Sequence, residues 1–197
     1  ALSSRRRCVS RVGAPVETSP FAPPLSSPLA LERRLIEVDL LGRMADLIAS
    51  GQSLVEVAGA TVDLLHGRSG HDLAIVLERR ERRLTPVAAR GEGADRLSWT
   101  ADSAGLLGRA LAAPGPVGES EASRPDWLPL GHRLPTRLAV AIPGDSGRPW
   151  GVLVTADETP PASLGELETL LVAVARQLGV AVHADRLRAE TASQLQR

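Results

Sequence analysis

From Arg137 to Val182 three secondary elements follow one another with almost no slack, and this stretch constrains the fold more than any other. In RLAVAIP, Leu138, Val140 and Ile142 alternate with the small Ala139 and Ala141; after the turn residues Pro143, Gly144, Asp145, Ser146 and Gly147, the segment PWGVLVTADE alternates again. Side chains two apart share one face of a strand, so the two runs read as an antiparallel hairpin with a buried face. Ser163 and Glu166 then stand three apart, as a capping box requires, and Leu164, Leu167, Leu171, Val174, Leu178 and Ala181 follow at three- and four-residue steps. A long amphipathic helix therefore leaves the sheet.

The upstream half supplies partners for that hairpin. Leu31, Leu35, Val38, Leu41, Ala45 and Ile48 trace one helical stripe that ends at Ser50 and Gly51. A second helix begins at a capping box formed by Ser53 and Glu56, buries Leu54, Val57, Ala58, Val62 and Leu65, and stops at Gly67. Leu73, Ile75 and Leu77 alternate in a first strand, and after RRERR a second strand runs from about Leu84 to Arg90, where Pro86 implies an edge position or an early bend. Asp102 or Ser103 caps a short helix carrying Ala104, Leu107, Ala110 and Leu111, which Pro114 and Gly115 terminate. Residues 115 to 133 read as one short strand and a long loop. The order predicts an α+β domain in which an antiparallel sheet carries helices on one face.

That order, with the strings LAVAIP, GVLVTADE and LGELETLLVAVARQLGVAVHADRL, resembles the last third of a GAF domain, the small-molecule-sensing module of signalling proteins; TADSAGLLGRALAAPGPVGES resembles its mid-domain turn, helix and short strand. The resemblance runs from about Leu40 to Leu187. It implies a GAF-like, profilin-like antiparallel sheet with long N- and C-terminal helices packed on one face.

Length and composition fit one such domain: 197 residues, 43% of them hydrophobic, suit a single core. Residues 1 to 28, with Pro15, Pro20, Pro23, Pro24 and Pro28 among Ser and Arg, are expected to be a disordered leader; 29 to 187 form the domain, and 188 to 197 a helical connector. Acidic and basic residues balance at 23 each, which argues against a general affinity for nucleic acid or anionic membrane. No uninterrupted apolar run approaches the roughly 18 to 20 residues of a membrane span, so a soluble cytoplasmic protein is expected.

The family's ligands sit on the sheet face away from the long helices. Carried over residue by residue, the resemblance places Trp99, Thr100, Asp102, Ser103, Ala104 and Leu107 in that wall, with Trp127, His132 and Arg137 from the crossover loop and Thr155 from the last strand. The N-terminus of the short helix offers free backbone N–H groups to an anion, so a cyclic nucleotide or carboxylate fits. In the plainer alternative Asp102 only caps the helix and the tryptophans fill core or loop. His132 falls near the position of a haem-ligating histidine in some sensor kinases of the family, which makes a haem-based gas or redox sensor a further alternative. No metal site is otherwise indicated, and no cofactor is required.

Other chemistries of the family are expected to be absent. Bilin attachment and the GAF-type methionine sulfoxide reductase need cysteines within the domain, whereas the only cysteine is Cys8. The cyclic-nucleotide signature of the phosphodiesterase GAF domains requires Lys and Phe, and neither occurs after Phe21. With no Walker-type loop, nucleophile elbow or paired metal ligands, the chain is expected not to be an enzyme. The final helix, at about 35 residues and 1.5 Å per residue, reaches roughly 52 Å and must project. Paired helices of this kind join domains and dimerise, so a homodimer through the terminal helices and a linked output domain are the expected partners, besides a small-molecule ligand. A non-sensing dimerisation scaffold is the competing reading.

Overall fold

A computed structural model describes residues 28–91, 93–103, 105–119, 134, 136–159 and 164–196. The expected leader lies outside the described residues except for Pro28, which opens helix α1 (Pro28–Ala49). Helix α2 (Leu54–Gly67) starts where the sequence requires it: the Ser53 hydroxyl accepts from the Glu56 amide at 3.3 Å, and the Glu56 carboxylate accepts from the Ser53 amide at 2.8 Å. Ser53's hydrogen bonds hold the Glu56 carboxyl below the usual carboxylate range.

Among the described residues six strands form one antiparallel sheet: β1 (Leu73–Arg80), β2 (Arg83–Gly91), β3 (Thr100–Ala101), β4 (Val117–Glu119), β5 (Thr136–Pro143) and β6 (Pro149–Asp157). Their spatial order is β3-β2-β1-β6-β5-β4, so two hairpins are fused through the pairing of β1 with β6. Pro86 meets both expectations for it. Leu77 opposes Pro86 and Val76 opposes Ala88, which leaves Val87 as the extra residue of a bulge, while β3 pairs with β2 only at Arg83 and Leu84.

Period-two alternation divides the sheet's side chains between two cores. Ala74, Val76, Leu138, Val140, Ile142 and Leu153 meet α1, α2 and α4 (Leu164–Leu195) on one face. Leu73, Ile75, Leu77, Val152, Val154 and Ala156 meet the eight-residue α3 (Gly105–Ala112) on the other. Among the described residues, three helices thus cover one face and one short helix covers part of its opposite.

Helix α4 has 32 residues, about 48 Å at 1.5 Å per residue. Ser163, its expected cap, lies outside the described residues. Leu171, Val174, Leu178 and Ala181 are all buried in the helical core. An 18-residue stretch of this helix with a mean hydropathy of 1.3 is long and apolar enough to cross a membrane, but the buried core residues contribute to that apolarity.

The helix directions follow from polar contacts. Arg68 at the end of α2 pairs with Asp39 of α1, so these helices are antiparallel; Arg188 of α4 donates to the carbonyls of Gly51 and Gln52 beyond the end of α1, so α1 and α4 run parallel. The first turns of α1, with Leu31, Leu35 and Val38 exposed, extend from one end of the domain, and the last turns of α4 from the other.

Candidate functional site

The face beneath α3 is where the expected wall residues can be tested one by one. Thr100 opposes Leu84 in the β2–β3 pairing, and Leu84 is buried in the α3 core, so Thr100 lies on that face. Leu107 is buried in the same cluster with Leu106 and Ala110. Asp102 follows β3, where its amide donates to the Arg82 carbonyl at 3.0 Å, and its carboxylate receives Nε and Nη2 of Arg79 at 3.0 and 2.8 Å. Ser103 is exposed, and its carbonyl lies so close to Gly108 that a Cβ there would approach within 2.8 Å. Gly108 therefore lets the 102–103 turn fold down on α3.

Arg137 stands at the opposite end of α3. It shares the parity of Ala139, so its side chain enters the α3 face, and it is 1% exposed. Its Nε donates to the Leu134 carbonyl at 2.9 Å, and its Nη1 lies 3.2 Å from a Glu119 oxygen on β4. Glu119 also faces Nη2 of Arg109 from α3 at 3.5 Å. A buried guanidinium is tolerable only with such hydrogen-bonding partners. Ion pairs thus pin α3 at both ends, Arg79–Asp102 before its first turn and Arg109–Glu119–Arg137 beside its last.

Two wall assignments need correction. Thr155 opposes Ala74 of β1 and Leu138 of β5, both in the core beneath the long helices, so it faces the other side of the sheet. The sequence resemblance aligned the strand but not its parity, and a one-residue slip moves a side chain to the opposite face. Trp99 does not line the wall: it is 54% exposed and stacks on the Arg83 guanidinium, 4.3 Å from the ring centroid. Ala104, Trp127 and His132 lie outside the described residues.

Sequence reading missed a second polar cluster, on the long-helix face. His71 and Asp157 are buried and paired through Nδ1 at 3.0 Å, and Asp157 also accepts the Asp72 amide at 3.1 Å. Its signal was a carboxylate at position 157 sharing the inward parity of Leu153. Among the described residues, no group of His, Cys, Asp and Glu has the arrangement of a metal site.

No protein-family model and no curated protein sequence matches the chain. Solved structures do match its backbone. The GAF domain of an Acinetobacter phosphoenolpyruvate-protein phosphotransferase superimposes over 81% of this chain and 96% of its own, with 24% identity and a TM-score of 0.64. The fold is that of a GAF domain. The GAF domain of a putative sensor histidine kinase from Pseudomonas syringae pv. tomato covers 84% of this chain and 97% of its own at 20% identity and a TM-score of 0.62. The free methionine-R-sulfoxide reductase of Neisseria meningitidis, in complex with its substrate, covers 83% and 95% at 21% identity and a TM-score of 0.67. This last match corrects the expectation that the chain is not an enzyme. An enzyme shares the GAF fold as closely as the sensors do, because the scaffold fixes the backbone and leaves chemistry to the side chains mounted on it.

Proposed function

We propose that this chain is a cytoplasmic GAF-type sensory or regulatory domain of a signal-transduction protein. It takes a small molecule between α3 and the sheet, and its terminal helices pass the change through a homodimer to an output domain. One observation carries the reading: among the described residues the sheet has two unlike faces, one covered by α1, α2 and α4 and the other by the eight-residue α3, which ion pairs hold. Ligand sites in small domains favour concave places where a few polar groups converge on an apolar wall. Thr100 and Asp102 before the first turn of α3 and Arg137 beside its last supply polar groups at the two ends of that face, and Leu107 belongs to the apolar wall between them.

A screen of nucleotides, carboxylic acids and haem by thermal shift and tryptophan fluorescence tests this. A ligand that engages the folded state raises the melting temperature. If no compound moves either signal, the scaffold reading takes over. The haem alternative fails if reconstituted protein shows no Soret band that depends on His132. Support for the homodimer comes from α1, where the exposed Leu31, Leu35 and Val38 continue at alternating four- and three-residue steps into Gly42, Ala45 and Ala49. This is the spacing of a helix-pairing seam, and its small residues allow two helices to approach closely.

A further inference from the structure

The exit of α4 from the domain is gripped by two separate loops. At the α1–α2 junction, Asp185 Oδ1 accepts from the Leu54 amide at 3.3 Å, and Arg188 Nη1 donates to the carbonyls of Gly51 and Gln52, the latter at 2.8 Å. The Leu54 amide belongs to the first turn of α2, where a helix leaves its amides open, and the two carbonyls belong to the link between α1 and α2. The Asp185 carboxylate also matches the positive end of the α2 dipole. At the β5–β6 turn, Asp145 pairs with Arg186 and, at 3.4 Å, with His183. Arg186 first and His183 second hold the Asp145 carboxyl below the usual carboxylate range. Pro143, just before this turn, presses on α4 at Gly179, where a Cβ would meet it at 3.1 Å.

Helical geometry places these contacts around the α4 axis. At about 100° per residue, Gly179, His183 and Arg186 share one side, while Asp185 and Arg188 lie roughly 150° away. The core row of Leu171, Val174, Leu178 and Ala181 runs between the two sides or close to the second. The remaining side, with Val180 and Leu187, is exposed.

We propose that the α1–α2 junction and the β5–β6 turn are the two jaws of a clamp that sets the height and rotation of α4 where it leaves the domain. A slide of one turn, about 5.4 Å, carries Asp185 and Arg188 away from both helix ends at once and also separates Arg186 from Asp145. The two jaws therefore favour the one position of α4 that satisfies both. The clamp is a property of this chain alone; only its use as a relay rests on the sensory reading.

Electron spin–spin distances in the full chain test it. Cys8→Ser provides the background, with spin labels at Thr85→Cys on β2 and Ala192→Cys on α4, diluted with unlabelled chain to suppress distances between copies. The parent gives one narrow distance. Adding Asp185→Ala and Arg188→Ala, which remove the acceptor and the donor outright, broadens it or creates a second population while the far-ultraviolet circular dichroism keeps its folded form. An unchanged narrow distribution overturns the clamp and leaves core packing as the sole determinant of α4. If that pair of substitutions unfolds the chain, Asp145→Ala in the other jaw is read in the same way: broadening supports the clamp and an unchanged distance overturns it. A chain that binds no ligand in the screen yet responds here retains the clamp and loses the sensory reading.

Discussion

Arg137 is the residue on which the α3 face depends most, because its guanidinium is buried and its charge is balanced by a carboxylate from another strand. Replacing it with Ala leaves Glu119 facing the core, and breaking a buried pair from one side costs roughly 3 to 5 kcal/mol. Urea unfolding of Arg137→Ala should show a loss near the lower end of that range, since Arg109 still faces Glu119. The Ser53–Glu56 capping box gives a pH-dependent case. The folded state depresses the Glu56 pKa, so this carboxylate stabilises above its unfolded value of about 4.5, and the contribution fades as pH falls through the lower folded value. Ser53→Ala should cost about 1 kcal/mol at pH 7, and the difference from the parent should shrink in denaturant titrations as the pH falls below 4.5 and through the lower folded value. The capping box was legible in the sequence because its partners are three residues apart. The Arg79–Asp102, Glu119–Arg137 and His71–Asp157 pairs were not, since each joins residues brought together only by strand pairing or chain reversal.

Among the elements, α1 differs most between its two halves. Leu40 and Met44 are buried, whereas Leu35 and Val38 are 62% and 68% exposed within one chain. Arg at either exposed position should leave the monomer's stability within about 0.5 kcal/mol, as surface changes usually do, yet abolish a homodimer that buries this stripe. Light scattering shows the outcome: an unmodified chain that is monomeric at high micromolar concentration sinks the homodimer proposal. The α4 row of Leu171, Val174, Leu178 and Ala181 cannot share that role because it is already internal. For α3, Leu107→Ala removes a fully buried side chain and should destabilise by roughly 2 to 5 kcal/mol in thermal or urea unfolding. Long elements announced themselves through periodicity. Strand parity did not survive at Thr155, where alternation gives two faces without saying which one α3 covers. Nor did Trp99 follow the family's placement, because cation–π stacking on Arg83 holds it outward.

At the scale of the whole molecule, the fold was readable because the two hairpins, the helices and their order agree at every level of pattern. The opposite-end exits of α1 and α4 have a mechanical consequence. A tension applied between Leu31 and Leu195 draws two parallel helices past each other, so every contact along their shared length bears load together. Tension between Leu31 and Gly165, which lie toward the same end, instead peels the helices apart one contact at a time. Single-molecule pulling should therefore give a higher rupture force for the first geometry than for the second. A domain held in line in this way resists stretching as a lap joint does, by shear along its length, and transmits displacement before it yields.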